Sequence, residues 1–123
     1  FLLSIDGAHA VHPNYTNKSD ITNDVILGKG ITVKTSASQR YLSDSEATAV
    51  VMQLCKKTDI PYQVQVNRSG MPGGQTLGPI VVSYLPMQGA DIGIPMLAMH
   101  SARELADMRD YQALVMFLKI FSA

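Results

Sequence analysis

Only one cysteine, Cys55, occurs in the chain. A lone thiol excludes an internal disulfide, which fits a reducing compartment and a cytoplasmic location. No apolar run approaches the ~18 residues that a membrane-spanning helix needs. The opening Phe1-Leu2-Leu3-Ser4-Ile5 is too short for a signal peptide and lacks its basic flank. Neither sign of charge predominates: 10 Lys and Arg against 10 Asp and Glu leave a formal net charge of zero. That balance gives no electrostatic reason to expect nucleic acid or an anionic membrane as a partner. There is no Gly-rich phosphate loop, no GxSxG elbow, no internal repeat and no low-complexity segment. The first residue is Phe rather than Met, and a strand-like run starts with it. The chain is therefore expected to begin inside a larger protein.

What is present suits one globular domain: 123 residues, 46% hydrophobic and 16% charged. Residues 1–5 read as a short buried strand, ended by Asp6-Gly7. Residues 7–30, rich in Gly, Asn, Asp, Thr and Pro, read as a long loop of the kind that carries function. Ile31-Thr-Val-Lys-Thr35 alternates and is β-branched, which predicts a strand. Ser43 and Glu46 fit a capping box opening a helix over 43–57, with Ala47, Val50, Val51, Leu54 and Cys55 on its buried face. Tyr62, Val64 and Val66 alternate with Gln63 and Gln65, giving a strand with one buried face. A short helix is expected near 76–85, with Pro79 in its first turn, and a strand near 90–94. Asp110 is the expected N-cap of a last helix over 109–121, whose buried face carries Ala113, Leu114, Phe117, Leu118 and Phe121. Strands alternating with helices predict an α/β layered fold.

The densest polar cluster, Asp6-Gly-Ala-His9-Ala-Val-His12-Pro-Asn14, directly follows the first strand. Loops at the carboxyl ends of strands collect ligands in α/β sheets, and Asp and His are good donors to a cation such as zinc. The plain alternative is that Asp6 caps a turn and the histidines pack structurally. His100, after an apolar stretch, is either a hydrogen-bonded turn residue or a ligand. Lys34 is either a solvated lysine or a point charge facing an acidic ligand. Arg40 and Tyr41 are anchors or pocket residues. Gly73-Gly74 is a tight turn or a place of close approach, and Arg103-Glu104 is a surface pair. Cys55, on an apolar helix face, is an inert thiol.

Several segments resemble the aspartyl aminopeptidase family of dizinc exopeptidases: Ser4 to Tyr15 (SIDGAHAVHPNY), Gly30 to Lys34, Ser38-Gln39-Arg40-Tyr41, Asn67-Arg68-Ser69, Pro72 to Ile80 (PGGQTLGPI), Asp91-Ile92-Gly93 and Leu97-Ala98-Met99-His100-Ser101. They keep the family's order over nearly the whole chain. The resemblance implies part of a three-layer α/β/α zinc-exopeptidase domain with a mixed central sheet, of which residues 1–123 would be the C-terminal portion. It implies that Asp6 binds one zinc and His100 the other, with cobalt or manganese able to substitute. It implies substrate-binding roles for His9, Lys34 and Tyr41. Peptides with acidic N-terminal residues are the implied substrates, since an ammonium at Lys34 pairs with a carboxylate, and a homo-oligomer is the implied assembly.

Gly70 stands where family members commonly carry Asp. The family's catalytic set also needs a further histidine ligand, a bridging aspartate and an adjacent Glu-Glu pair that includes the general base. This chain has only Glu46 and Glu104, which are not adjacent, so those groups are expected upstream and no catalytic base in this chain. The rival reading is a non-catalytic interaction or assembly domain that keeps the peptidase fold. A generic α/β hydrolase is more distant.

Overall fold

The computed structural model describes residues 1–123. Its elements are β1 (Leu2–His9), a single 3-10 turn (Thr16–Lys18), β2 (Ile31–Thr35), α1 (Ser45–Lys57), β3 (Tyr62–Val66), α2 (Leu77–Tyr84), β4 (Gly89–Leu97), β5 (Leu105–Ala106) and α3 (Met108–Phe121). The sheet runs β1-β4-β2-β3, with β5 pairing β4. β1 lies parallel to β4 and β3 parallel to β2, while β2 meets β4 antiparallel, so the sheet is mixed. β1 occupies one edge of β4 from Gly89 to Met96, and β2 and β5 share the other.

Alternation along the two central strands sorts side chains onto two faces. Ile31 and Val33 of β2 with Ala90 and Ile92 of β4 form one buried cluster with Ala47, Val51 and Cys55 of α1 and Ala113 and Phe117 of α3. The intervening Lys34 and Asp91 pair across β2 and β4 and point to the opposite face. There α2 approaches so closely that a Cβ on Gly78 would come within 3.0 Å of Asp91 Oδ2. Helices thus cover both faces, the α/β arrangement expected. No helix is long and apolar enough to cross a membrane.

Several local expectations are corrected. β1 is not a short buried strand: it continues to His9 and forms an edge of the sheet, where Ile5 is 45% exposed. Asp6 and His9 therefore lie in the strand rather than in the loop after it. The buried residue of β3 is Gln65, while Val66 is exposed, the reverse of the face its alternation suggests. The capping box does not form. Asp44 caps α1 by accepting from Ala47 N at 2.7 Å, Ser43 Oγ accepts from Asp91 N, and Glu46 accepts from Gln88. Val50 is left exposed.

The cap of α3 is Asp107, because Asp110 has another role. Its buried carboxylate accepts from Gly28 N and Gly30 N, each at 2.7 Å, and pins the long loop to α3. Gly30 has φ 99° and packs against Pro61; a Cβ there would lie 2.0 Å from the Pro61 carbonyl oxygen. Strand β5 carries no signal in the sequence; two residues are too few for a period to appear.

Candidate active site

Asp6 and Lys34 come from β1 and β2, Tyr41 from the turn before α1, His9 from the last residue of β1, and His100 from the turn after β4. All five line one cavity of about 110 Å³, together with Gln65 and Thr76. The cavity lies over the α2 face of the sheet, not at a common carboxyl edge, because β2 runs against β1 and β4.

Lys34 is not a solvated lysine: only 2% of it is exposed. Its Nζ lies 3.9 Å from Asp6 Oδ2 and 5.5 Å from the centre of the Tyr41 ring. The first is a long ion pair and the second a cation–π contact. Burial pushes the ammonium's pKa down, against the pull of Asp6 and Asp91. His9 is also pushed below the usual imidazole range, first by burial and then by the charges of Lys34 and His100. It is thereby biased to the neutral form, which both donates and accepts a hydrogen bond.

Tyr41 is held by the neighbouring backbone. Asp91, fully buried, accepts from Leu42 N through Oδ2 and donates its own N–H to Ser43 Oγ. These bonds fix the residues 41–43 turn on β4. His100 sits in a strained turn: Ala98 and His100 have φ 54° and 69°, values uncommon outside glycine. The turn is anchored by Glu104 Oε1, which accepts from His100 N at 2.6 Å. Glu104 is therefore more than a surface pair with Arg103. Gly74 lines the cavity with open space where a Cβ would point, whereas Gly73 abuts Asn67. Arg40 donates to Gly73 O at 3.1 Å and does not line the cavity. Cys55 is buried in the core, and burial pushes its thiol up to about 11.

Gln65, Thr76 and Asp91 were not singled out by the sequence for this site. Thr76 Oγ1, Gln65 Oε1 and Asp91 Oδ1 are buried without a hydrogen-bond partner, and the first two belong to residues lining the cavity. Unpaired buried polar atoms are uncommon and call for a partner. Pattern alone could not find them, because a Gln on an alternating strand reads as its wet face.

As donors, Asp6 and His100 suit zinc: a carboxylate and an imidazole open to one cavity. Asp6 keeps one oxygen on Gly7 N at 2.7 Å, and its side chain is 57% exposed. No three His, Cys, Asp or Glu side chains converge to hold a metal by themselves. A catalytic zinc normally takes three protein ligands, so these residues fit as part of a metal centre and not as the whole of one.

The mixed sheet and this cavity define a class: an α/β domain with a carboxylate, two imidazoles and a buried lysine gathered on one cavity. The family model described as aminopeptidase I zinc metalloprotease (M18) matches residues 1–122. The chain belongs to that family, which is the aspartyl aminopeptidase family. It is 50% identical over 111 residues to a probable M18 family aminopeptidase 2 of Clostridium novyi, covering 90% of this chain and 26% of that protein. A chain of the cryo-EM structure of the Ape4 and Nbr1 complex superposes with TM-score 0.93 at 36% identity, over 97% of this chain and 23% of that one. The S. cerevisiae mApe1 dodecamer superposes with TM-score 0.84 at 26% identity, over 97% and 26%. The chain thus spans about a quarter of the length of the curated relatives it matches.

Proposed function

We propose that residues 1–123 form the C-terminal portion of the catalytic domain of a zinc-dependent aminopeptidase that removes acidic N-terminal residues, Asp or Glu, from peptides. The observation that carries this reading is the meeting of Asp6, His9, Lys34, Tyr41 and His100 on one small cavity, in a chain of the M18 family. Asp6 would hold one zinc and His100 the other; cobalt or manganese would serve in their place. When bound, such a metal pair polarises the scissile carbonyl and acidifies a water.

The chain's own residues do the rest of the work at this cavity. The Lys34 ammonium, largely stripped of water, pairs with the carboxylate of an Asp or Glu side chain. Tyr41 supports that ammonium through its ring face. His9, biased to the neutral form, donates a hydrogen bond to the substrate as charge develops on it. Neither Glu46 nor Glu104 lines the cavity, so the base that takes the water's proton is supplied by the upstream part of the protein. A homo-oligomer in the cytoplasm completes the proposal, with the dodecameric relative and the lone buried cysteine as its support.

The test is to load the full-length protein with zinc and incubate it with peptides beginning with Glu, Asp or Leu, free or N-acetylated. Release of the first residue from free peptides, fastest for Glu or Asp, is expected. No release, or cleavage inside the acetylated peptides, would overturn the reading.

A further inference from the structure

A second, larger cavity of about 340 Å³ adjoins the first and shares His9 and Gln65 with it. An aminopeptidase has one residue on one side of the bond it cuts and an open-ended chain on the other. The cavity of about 110 Å³ that holds Lys34 suits the single residue; the larger one has room for the departing chain. Its polar groups are ordered for a peptide. Gln65 is 5% exposed and its Oε1 has no partner, while its amide nitrogen makes only a long contact of 3.4 Å with Asn67. An unpaired carbonyl-type oxygen in the wall between two cavities is an acceptor for a backbone N–H.

Further along the same cavity stand Lys18 and Arg68, both exposed and in no ion pair. Lys18 is held over the Tyr15 ring at 4.9 Å. The acidic residue among the lining is Asp20, and its Oδ1 already accepts from Thr22 and Asn23 within 3.0 Å. Two free cations against one engaged carboxylate leave the cavity attractive to a negative group.

We infer that this cavity is the binding site for the leaving portion of the peptide, with Gln65 accepting from its backbone and Arg68, aided by Lys18, reading a carboxylate on it. The inference rests on the aminopeptidase reading above. The carboxylate has two sources, an acidic side chain after the scissile bond or the peptide's own C-terminus, and both present the same planar acceptor to a guanidinium.

Three substrates separate them, each carrying the N-terminal residue the enzyme cleaves best, Glu on the reading above. They are Glu-Asp-Ala-amide, Glu-Ala with a free carboxylate, and Glu-Ala-amide as the neutral reference. The full-length, zinc-loaded wild type is expected to show a lower KM for at least one carboxylate-bearing substrate than for the reference. In Arg68→Ala that advantage falls about tenfold relative to the reference, and the substrate that loses it identifies the source. Gln65→Leu raises KM for Glu-Asp-Ala-amide and Glu-Ala-amide more than for Glu p-nitroanilide, which has no N–H beyond the bond. Equal changes across all three peptides in Arg68→Ala, or no wild-type preference among them, would overturn the inference while leaving the aminopeptidase intact. No release from any substrate would instead remove the reading on which it rests, and the inference with it.

Discussion

The Nζ of Lys34 lies 3.9 Å from Oδ2 of Asp6, the lysine side chain 3% exposed and the aspartate 57%. A nearly dry cation faces a half-open carboxylate, so one end of the pair is free to turn to a substrate or a metal. Replacing the lysine tests what its charge reads. In the full-length protein, on the proposed aminopeptidase reading, Lys34→Ala is expected to lower kcat/KM for Asp- or Glu-initiated peptides by roughly 1–3 kcal/mol more than for Leu-initiated ones. Equal losses for acidic and neutral substrates would show that Lys34 does not read the side chain.

Asp110 fixes the long loop to α3 through Gly28 N and Gly30 N, about 80 residues away in sequence. Asp110→Ala leaves both amides without an acceptor and is expected to cost about 2–4 kcal/mol. Asp110→Asn, which keeps one acceptor oxygen, costs less. Thermal unfolding of the full-length protein checks the order wild type, Asn, Ala; an unchanged melting temperature in the alanine variant would contradict the assigned role.

Two glycines are expected to differ sharply. A Cβ at Gly93 would lie 1.9 Å from the Asp6 carbonyl oxygen, whereas one at Gly74 meets nothing within 4 Å. Gly93→Ala therefore forces β1 away from β4, carries Asp6 with it, and lowers both stability and activity. Gly74→Ala stays within ~0.5 kcal/mol of wild-type stability. Melting temperatures of the two variants decide the point, and equal values would refute it.

Cys55 is expected to be inert in the folded protein. Burial raises its thiol from 9.0 to about 11, so the neutral form is favoured by folding. This contribution to stability is present below pH 9.0 and is lost as pH rises towards about 11. Titration with an aromatic disulfide at pH 8 should give no thiol signal at Cys55 until denaturant is added. Rapid reaction in native buffer would contradict the burial.

The parts legible in the sequence were those set locally. β2 and β3 fall on residues 31–35 and 62–66 as their alternation predicts, and α2 starts one residue inside its expected span with Pro79 in the first turn. What failed was set at a distance. Asp107 and Asp110 are equally good caps by composition, and only the amides of Gly28 and Gly30 decide between them. Ser43 is drawn from its capping role by Asp91. β1 reads as buried because strand order, which puts it at an edge, is not written in its residues. The five candidate residues are legible only through resemblance; composition and spacing alone leave Lys34 indistinguishable from a surface lysine. Its strand is buried on both faces, which no short alternating run reveals. Gln65 and Glu104 escaped because an amide in a strand and a carboxylate in a turn are usually solvated.

Metal content tests the central claim, that this chain gives one ligand to each of two zinc ions, most directly. Zinc per protomer is measured by elemental analysis after dialysis for the full-length protein, for Asp6→Ala, for His100→Ala and for the isolated 123-residue chain. About two zinc ions are expected in the wild type, since two donors here leave each metal to be completed upstream. Each variant is expected to lose zinc together with aminopeptidase turnover, and the isolated chain to retain none in stoichiometric amount. Two zinc ions and wild-type turnover in either variant, or a stoichiometric pair of zinc ions with turnover in the isolated chain, would contradict it.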